Sequence, residues 1–421
     1  MGKKIVIYGG GTVSHVRPHL AICAPAYGAA ARRIQELCAD GLSVPWVDSD
    51  DIELRLTKMA GGHSIETNAD LAASLVSDTQ DDDTKVIFQT AAVCDFTVHN
   101  GSKSLPKLAS DKSHNVTLWP TEKLIDVVRQ TRKDIFLVGF KTTAGATPQE
   151  QAWAGLALLK RASCNLVMAN DIVTGAHVLV TPEEVPHRLL PEVDADVQAV
   201  VRDHALRTLV SIVGQRSWLH FTRSRVVGSH DDLIGWYQVP EALQTVVGHC
   251  IGRGAYHEFK GRTVGHFAYR DANGIVTTVR KSNFNLLPKG FGGMVRIDVS
   301  DPSCVVAHGA KPSVGGMSQR VIFREHPELD CIVHFHCPPR DGADVARQDQ
   351  MPYECGSEEC AINTSRGLRV VGDGIAAVYL DRHGPNVVFR SDIDPARVID
   401  YIEANFDLTK STSILPEAVN G

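Results

Sequence analysis

The chain has 421 residues, of which 43% are hydrophobic and 22% charged, and its formal net charge at pH 7 is −6. This length exceeds the size at which a single hydrophobic core stops growing, so two domains are expected. A mildly acidic chain has no electrostatic reason to bind nucleic acid or an anionic membrane in general. Its ten cysteines follow no framework spacing, and it shows neither a signal peptide nor an apolar run of membrane length. The composition therefore predicts a reduced, cytoplasmic protein.

The first half alternates short apolar strands with helical stretches. Continuous apolar strands that alternate with helices are typical of a parallel sheet covered on both faces. The sequence therefore predicts a Rossmann-like α/β domain over residues 1–213. Its predicted strands are 4–8, 86–90, 135–140 and 165–169, and its predicted helices are 24–39, 121–132, 147–161 and 192–213.

The second half has a different pattern. Residues 214–238 hold aromatics and arginines without a clear period and are predicted to be a linker. Residues 239–421 then combine hairpin-like strands with helices, and Asn273-Gly274 is a strong signal for a hairpin turn. Mostly antiparallel strands flanked by helices predict an α/β/α domain. The predicted strands are 262–270, 274–280, 294–299, 330–336, 376–381 and 386–390, and the predicted helices are 240–252, 318–324 and 395–405.

Three histidines are the strongest chemical signal in this half. His334 and His336 are two residues apart in a predicted strand, so their side chains should share one face. His383 follows a second apolar run, 376–380, and could supply a third ligand. Three nitrogen ligands with one open position are typical of a catalytic zinc site. Two half-buried histidines at a sheet edge beside an unrelated His-Gly turn would explain the spacing equally well.

Cysteines offer another set of metal ligands. Cys331 and Cys337 bracket the first two histidines, and Cys355 and Cys360 lie close behind them in the sequence. A mixed site of cysteine and histidine is conceivable, but no C-x-x-C pair occurs. The motif pattern therefore favours three-histidine ligation.

Several motifs of the second half occur in a fixed order. Together, over about residues 240–405, they resemble the class II aldolase/adducin family, and the ordered set is far more specific than any one motif. The motifs are Gly-His-Phe-Ala-Tyr-Arg at 265–270, Lys-Pro-Ser at 311–313, the segment 321–329, His-Phe-His at 334–336, Pro-Tyr-Glu-Cys-Gly-Ser-Glu-Glu at 352–359 and Leu-Asp-Arg-His-Gly at 380–384.

The resemblance implies a function for the three histidines. His334, His336 and His383 would bind Zn²⁺ or another divalent transition metal. The cation would act as a Lewis acid that stabilises the enediolate formed when a carbon–carbon bond breaks. Tyr353 matches the proton-transfer tyrosine of the family, although an aromatic packed in a loop is the alternative explanation.

One departure concerns the acid/base of the reaction. The aldolases have a glutamate after the Pro-Ser pair, and Gly315 occupies that place here. Another base is therefore needed, and Glu354 is the candidate, with Glu358 and Glu359 nearby. Charges solvated in a loop are the commoner explanation for such residues. Dehydration, epimerisation and decarboxylation stay open beside carbon–carbon cleavage.

A second departure concerns the part of the site that binds the substrate anion. His266 stands where the family has an asparagine, and Arg280-Lys281-Ser282 replaces its small polar turn. A basic cluster of this kind suits a phosphate or carboxylate group. The predicted substrate is a small phosphorylated or acidic hydroxycarbonyl compound.

The first half begins with a glycine-rich turn after its first strand. Gly9, Gly10, Gly11 and Thr12 would let backbone amides approach an anion, although many strand-to-helix turns are glycine-rich. A series of further motifs is more specific, and in this order it resembles the phosphopantothenoylcysteine synthetase family over about 1–213. The motifs are 91–96, 106–108, 138–143 and 168–171.

This second resemblance implies a nucleotide-dependent ligase. The domain would bind CTP or ATP with Mg²⁺ and activate a carboxylate for attack by an amine. Asp95 would lie near the metal or base, Lys107 and Lys141 on the phosphates, Asn170 would read the nucleotide, and Phe140 would pack beside it. Lys107 is also a candidate catalytic residue. Single residues of these types are more often solvated surface residues, so the prediction depends on the ordered set.

The first helix departs from that family. The synthetases carry an asparagine and a Ser-Ser-Gly turn that hold the acyl group, whereas residues 21–27 here read Ala-Ile-Cys-Ala-Pro-Ala-Tyr. This difference is compatible with a retained nucleotide site beside a rebuilt acyl acceptor site.

Three hypotheses follow. The first is a bifunctional biosynthetic enzyme with a ligase half and a lyase half. The second keeps only the metal domain catalytic, with a degenerate nucleotide-binding domain. The third is a non-catalytic, adducin-like interaction protein. The expected partners are small-molecule substrates and, by resemblance, further copies of the chain in a dimer or tetramer, with no nucleic acid and no membrane.

Overall fold

A computed structural model describes residues 3–99, 101–184, 186–188, 195–300 and 304–413, with the backbone alone at 186–188, 195–199, 223 and 315–317. The chain divides into two compact units. The first unit comprises Met1–Thr181 and Pro186–Ser217, and the second comprises Pro182–Val185 and Trp218–Gly421. A segment of four residues, which lies in sequence between two parts of the first unit, thus belongs to the second.

The first unit is built on a seven-stranded sheet with the order β4-β1-β5-β8-β9-β10-β11. The strands from β4 to β9 are parallel, and β10 and β11 are antiparallel to their neighbours. The strands of the unit, within this sheet and outside it, are β1 (Lys4–Gly9), β2 (Val13–Arg17), β3 (Leu20–Cys23), β4 (Ile52–Leu56), β5 (Thr84–Gln89), β6 (Phe96–Val98), β7 (Leu118–Pro120), β8 (Phe136–Thr143), β9 (Leu166–Asp171), β10 (His177–Val180) and β11 (Pro186–Arg188). The helices are α1 (Ala29–Ala39), α2 (Asn68–Gln80), α3 (Asp126–Thr131), α4 (Pro148–Ala162) and α5 (Ala195–Arg216).

Both faces of this sheet are covered. Four successive residues of β1, 5–8, are fully buried, which an alternating strand with one solvated face could not achieve. Ile5 and Ile7 pack with α1 and α5 in one hydrophobic cluster. On α4, Gly155 lies within contact distance of Val167 and Ala169, which point to the opposite face of β9. The predicted α/β class and parallel sheet are confirmed.

The second unit is built on a ten-stranded, mostly antiparallel sheet. Its order is β12-β18-β17-β16-β15-β19-β23-β22-β20, with β21 also paired to β22. The strands of the unit, within this sheet and outside it, are β12 (Arg223–Val227), β13 (Glu258–Phe259), β14 (Arg262–Thr263), β15 (His266–Asp271), β16 (Gly274–Thr278), β17 (Met294–Asp298), β18 (Cys304–His308), β19 (Cys331–His334), β20 (Arg347–Gln348), β21 (Arg369–Gly372), β22 (Ile375–Leu380) and β23 (Gly384–Phe389). The helices are α6 (Glu241–Gly252), α7 (Val314–Glu325), α8 (Glu358–Gly367) and α9 (Pro395–Asn405).

Helices cover this second sheet on two sides, as the predicted three-layer arrangement requires. Val333 of β19 packs in a cluster that includes residues of α6 and α9. Its neighbour Ile332 packs in a different cluster, with Ile322 and Phe323 of α7. Because strand side chains alternate between faces, His334 shares the face of Ile332 and points towards the α7 side of the sheet.

The segment 214–238, which the sequence predicts as a linker, contains strand β12. Residues 223–227 pair in parallel with β18 at the edge of the sheet. None of the described side chains of this edge strand is buried, so there is no buried face to produce an alternating pattern in its sequence. Among the described helices, none combines the length and the apolar character needed to cross a membrane.

Candidate metal centre and candidate nucleotide site

The sheet of the second unit positions His334. This residue ends β19 and lies opposite His266 of β15 on one side and Asn386 of β23 on the other. The predicted strand 330–336 is shorter in the structure, because the chain leaves the sheet after His334. His336 therefore lies beyond the strand, although its ring centroid remains 5.0 Å from that of His334.

A glycine lets the third histidine approach. A Cβ atom at Gly384 would overlap the backbone carbonyl oxygen of Phe335, so another residue there would push the two segments apart. The amide of His383, one residue earlier, donates to Leu380 at 3.0 Å, and its carbonyl accepts a hydrogen bond from Thr412 at 2.6 Å. The amide of Thr412 also donates to the carbonyl of His336 at 2.9 Å, so Thr412 joins the backbone of His383 to the segment that carries His336.

The three rings converge. The ring centroid of His383 lies 4.6 Å from those of both His334 and His336. One ligand atom from each residue lies within 4.8 Å of the other two. All three side chains are buried, with at most 5% of each residue exposed. Among the described residues, this is the group of histidine, cysteine and acidic side chains that could hold a metal ion.

The hydrogen bonds of His334 define its metal-binding atom. Nδ1 of His334 donates to the carbonyl oxygen of Pro385 at 2.8 Å, so the neutral ring carries its proton there and Nε2 has a free lone pair. Nε2 of His334 lies 3.3 Å from Nε2 of His383. Two nitrogens of a tetrahedral zinc site with Zn–N distances of about 2.0–2.1 Å are roughly 3.3–3.4 Å apart. The spacing of these two atoms therefore fits a shared cation.

Burial keeps these rings neutral. Desolvation, followed by the neighbouring imidazoles, lowers the pKa of His334 well below its ordinary value. Desolvation and His336 lower the pKa of His383 to about 3. Both imidazoles are thus unprotonated at neutral pH, the form that binds a metal ion.

The cysteines near the histidines do not share this property. Burial raises the pKa of the Cys360 thiol to about 11 and raises that of Cys331 well above its usual range. Neither thiol belongs to the group of ligand atoms that converges on one point.

His336 contacts two residues that the sequence did not single out. Its Nδ1 lies 3.0 Å from Oε2 of Glu184 and 2.9 Å from Oγ of Ser413. Glu184 belongs to the segment Pro182–Val185 of the second unit and is 1% exposed. The run Pro-Glu-Glu-Val-Pro at 182–186 is typical of a solvated turn, so no sequence signal reveals a buried carboxylate there.

His266 is a fourth imidazole beside the cluster. Its ring centroid lies 4.7 Å from that of His334, and Nε2 of Gln319, on α7, donates to its Nδ1 at 2.7 Å. Burial and the neighbouring His336 lower the pKa of His266 to about 3. His266 therefore contributes a neutral ring at this position and no positive charge.

The turn 280–282 lies against the Lys-Pro-Ser motif. The amide of Arg280 donates to Lys311 at 2.8 Å, and Val279 forms a bridge with Pro312. Lys281 has a left-handed backbone conformation, and the hydroxyl of Ser282 donates to Val279 at 2.8 Å. Desolvation lowers the pKa of the Arg280 guanidinium. Two motifs that are about 30 residues apart in sequence are thus brought together, next to the start of α7.

Tyr353 and Glu354 lie on a tight turn. The amide of Tyr353 donates to Gln350 at 3.0 Å, and its carbonyl accepts from Nε2 of Gln350 at 2.7 Å. Tyr353 is half-buried and Glu354 is buried. The next residue, Cys355, donates its amide to Oε1 of Glu183 at 3.0 Å, so this turn adjoins the segment that contacts His336.

Gly315, which replaces the family glutamate, and Glu359, a nearby alternative base, both lie on helices. Gly315 is in the first turn of α7. Glu359, in the first turn of α8, contacts Nδ1 of His220 at 2.6 Å and accepts the His220 amide at 3.0 Å. A carboxylate with these contacts is fixed in a local structural role.

The predicted nucleotide residues of the first unit gather at one edge of its sheet. The glycine turn follows β1, Asp95 follows β5, and Lys141 and Asn170 lie near the ends of β8 and β9. These four strands are neighbours and parallel, so their carboxyl ends meet at the same edge. Small ligands of open α/β sheets bind at that edge.

The glycine turn is packed against its own unit. Gly10 has φ +96°, and a Cβ atom there would overlap Thr57 and Ala60. Thr12 is fully buried, donates to Oδ1 of Asn68 at 2.6 Å and accepts the amide of Cys94 at 2.8 Å. The hydroxyl of Thr12 thus joins neighbouring loops and does not point to solvent.

The other predicted residues are more accessible. Lys107 and Lys141 are exposed, and Phe140 is half-buried against the core. Asn170 lies opposite Thr142 in the pairing of β8 with β9, so it is close to Lys141. Asp95 forms an ion pair with Lys123 at 2.5 Å, a partner that the sequence did not indicate.

Comparison with known proteins supports the resemblance of the first half. Residues 1–190 match the family model of the DNA/pantothenate metabolism flavoprotein C-terminal domain. The coenzyme A biosynthesis bifunctional protein CoaBC of Thermococcus kodakarensis is 28% identical over 181 residues, which are 41% of this chain and 42% of that protein. The chain thus spans less than half the length of the curated relatives that it matches. The predicted resemblance of the first half is thus supported over residues 1–190.

Some solved structures also match parts of this chain. The DNA/pantothenate metabolism flavoprotein from Streptococcus pneumoniae has a TM-score of 0.37 and 18% identity, and the match covers 48% of this chain and 96% of that one. The l-fuculose-1-phosphate aldolase from Thermus thermophilus has a TM-score of 0.29 and 17% identity, and the match covers 41% of this chain and 90% of that one. At these identities the likeness is one of fold.

Proposed function

We propose that the chain is a bifunctional biosynthetic enzyme. Its second unit would cleave a carbon–carbon bond in a small phosphorylated or acidic hydroxycarbonyl compound, with a divalent metal ion. Its first unit would join a carboxylate to an amine at the expense of CTP or ATP with Mg²⁺. The observation that carries the proposal is the convergence of His334, His336 and His383, three buried imidazoles around one point.

The three histidines would hold Zn²⁺ or another divalent transition metal. When bound, such an ion supplies Lewis-acid polarisation of a substrate oxygen. The bond from His334 to the carbonyl of Pro385 fixes the ring so that Nε2 faces the cluster. Three imidazole ligands leave one position of a tetrahedral site open, which is the arrangement of catalytic sites.

The turn at 280–282 would bind the anionic group of the substrate. Arg280 presents a planar set of donors that matches a phosphate or carboxylate, and Lys281 adds a second positive charge. Burial raises the strength of such contacts, because less water competes for the guanidinium. Nδ1 of the neutral His266 accepts from Gln319, so its Nε2–H would donate a hydrogen bond to a substrate oxygen.

Tyr353 and Glu354 would transfer protons. Gly315 supplies no carboxylate, so the buried Glu354 takes the place of the base in this proposal, with the Tyr353 hydroxyl as the acid. Support comes from the turn that carries both residues, since Cys355 is hydrogen-bonded to Glu183, the neighbour of a residue that contacts His336.

A lyase assay tests the second unit. The full chain, loaded with zinc, is incubated with phosphorylated and acidic hydroxycarbonyl compounds, and the aldehyde and keto products are followed by mass. We expect cleavage of at least one compound, lost on treatment with a chelator and restored by zinc but not by Mg²⁺. Turnover that survives chelation would contradict a metal-dependent lyase. An epimerised or decarboxylated product would support the metal site and would show that the reaction is epimerisation or decarboxylation instead of aldol cleavage.

The proposed ligase function of the first unit is supported by the family match over 1–190 and by the position of Lys141 and Asn170 at the carboxyl edge of the sheet. Lys141 would neutralise phosphate charge, and Asn170 would hydrogen-bond the nucleotide. Lys107 would stabilise the charge that develops during acyl transfer. The altered segment 21–27 favours one alternative, in which this unit binds nucleotide without ligating and only the metal unit is catalytic.

A purely structural, adducin-like role is the third possibility. The cluster argues against it, because three buried histidines cost desolvation energy that a structural sheet edge does not require. A metal-free protein that is inactive both in the lyase assay and in nucleotide-dependent ligation would favour this possibility.

A further inference from the structure

We infer that Glu184, together with Ser413, positions His336 as a metal ligand. This inference rests on the proposed metal site and extends it to a carboxylate that the sequence places 152 residues before the histidine. Glu184 lies within the range of the family match, yet it belongs to the second unit.

Three hydrogen-bond contacts join Nδ1 of His336, Glu184 and Ser413. Ser413 Oγ donates to Oε2 of Glu184 at 2.5 Å. That bond uses the single proton of the hydroxyl, so the contacts from Nδ1 to Glu184 at 3.0 Å and to Ser413 at 2.9 Å require a proton on Nδ1. With the proton on Nδ1, Nε2 of His336 is the nitrogen left to bind a metal ion. His336 therefore adopts the same tautomer as His334.

The burial of the group shows that these bonds are needed. Glu184 is 1% exposed, His336 5% and Ser413 8%. A buried carboxylate is destabilising unless hydrogen bonds or an opposite charge compensate it. A cation bound to the three imidazoles would add the opposite charge close to Glu184.

The backbone of Glu184 is also unusual. Its φ is +66°, a left-handed conformation that non-glycine residues rarely adopt because it is strained. Such a conformation persists where the surrounding contacts require it. Here it accompanies a side chain that is directed inwards to His336, although the flanking Pro182 and Pro186 would suit an exposed turn.

The chemistry of the contact is that of a metal site. A carboxylate that accepts the second N–H of a ligating histidine fixes the tautomer, orients the ring and makes the other nitrogen more basic. In His334 the carbonyl of Pro385 plays this part, and in His336 Glu184 would play it with a full negative charge. Loss of such a partner typically lowers metal affinity by about 10- to 100-fold.

Zinc affinity of the full chain tests the inference. Wild type, Glu184→Gln, Glu184→Ala and Ser413→Ala are titrated with zinc against a chromophoric chelator, with the exposed Glu328→Ala as matched control. We expect Glu184→Ala to weaken zinc binding by about 100-fold and Glu184→Gln, which keeps an oxygen acceptor, by about tenfold. Ser413→Ala should lie between Glu184→Gln and wild type, and Glu328→Ala should equal wild type. The visible spectrum of the Co²⁺ form should change in both Glu184 variants.

The outcomes separate this inference from the proposed function. If wild type binds no zinc, the metal site itself is wrong. If wild type binds zinc and both Glu184 variants bind it equally well with an unchanged Co²⁺ spectrum, the positioning role is overturned. Thermal unfolding of the metal-free proteins shows whether Glu184→Ala folds, and where it does not, Glu184→Gln decides the matter, because it has the same shape.

Discussion

Replacing His334 and His336 together by alanine is expected to reduce the zinc content of the purified chain from one equivalent to none. The reason is geometric, since His383 alone would remain of a set whose ligand atoms lie within 4.8 Å of one another. A single imidazole with water ligands binds zinc weakly, whereas three converging imidazoles retain it through dialysis. Elemental analysis of the dialysed protein gives the result directly, and the lyase activity should disappear with the metal.

A matched control separates ligation from a general effect of losing histidine. His230 lies on the same unit with an exposed side chain, so His230→Ala should keep the full zinc content. Far-ultraviolet circular dichroism should show that the double variant keeps its secondary structure. A folded double variant that still holds one zinc per chain would show that the cation binds elsewhere.

The second large effect is expected in the first unit. Replacing Lys141 by alanine should lower nucleotide-dependent ligation by about 100- to 1000-fold, the usual range for removing one group that stabilises charge in the transition state. Lys141 is exposed at the carboxyl end of β8, next to the strand that carries Asn170. The measurement is release of pyrophosphate from CTP and ATP in the presence of a panel of carboxylic acids and amines.

The control for this prediction is another exposed lysine of the same unit. Lys112→Ala removes the same charge from a loop position and should leave pyrophosphate release unchanged. Zinc content should stay at the wild-type level in both variants, because neither residue belongs to the second unit. If Lys141→Ala matched Lys112→Ala in rate, Lys141 would have no part in catalysis.

Much of the fold could be predicted from local sequence. Continuous apolar runs such as residues 4–8 and 135–140 indicate strands buried on both faces, and they form the centre of the parallel sheet. Local sequence does not predict β12, because this edge strand has no buried face that would give a periodic pattern. It also does not predict the end of β19, which lies two residues before the end of the apolar pattern.

The candidate metal centre could also be predicted in part from local sequence. His334 and His336 are close in sequence, so a local pattern brings them together, and a family motif adds His383. Glu184 could not be found, because its contact joins residues 152 positions apart and depends on a segment that lies between two strands of the first unit. Only the three-dimensional arrangement shows a buried carboxylate in what the sequence presents as a charged turn.

The glycine turn is the opposite case, because its sequence suggests a ligand site whereas its structure shows internal packing. Gly9, Gly10, Gly11 and Thr12 have the composition of an anion-binding loop, but the structure also gives them a packing role. Close packing against Thr57 and Ala60 requires glycine at position 10, and the Thr12 hydroxyl bonds to Asn68. Composition alone does not distinguish a glycine required by packing from one required by a ligand.

X-ray absorption of the zinc-loaded full chain is the most direct measurement of the central claim. The arrangement of His334, His336 and His383 predicts one zinc per chain with three imidazole nitrogens at about 2.0–2.1 Å and one oxygen ligand. A spectrum with sulfur neighbours, or with an all-oxygen shell of the kind that loosely bound ions show, would contradict it.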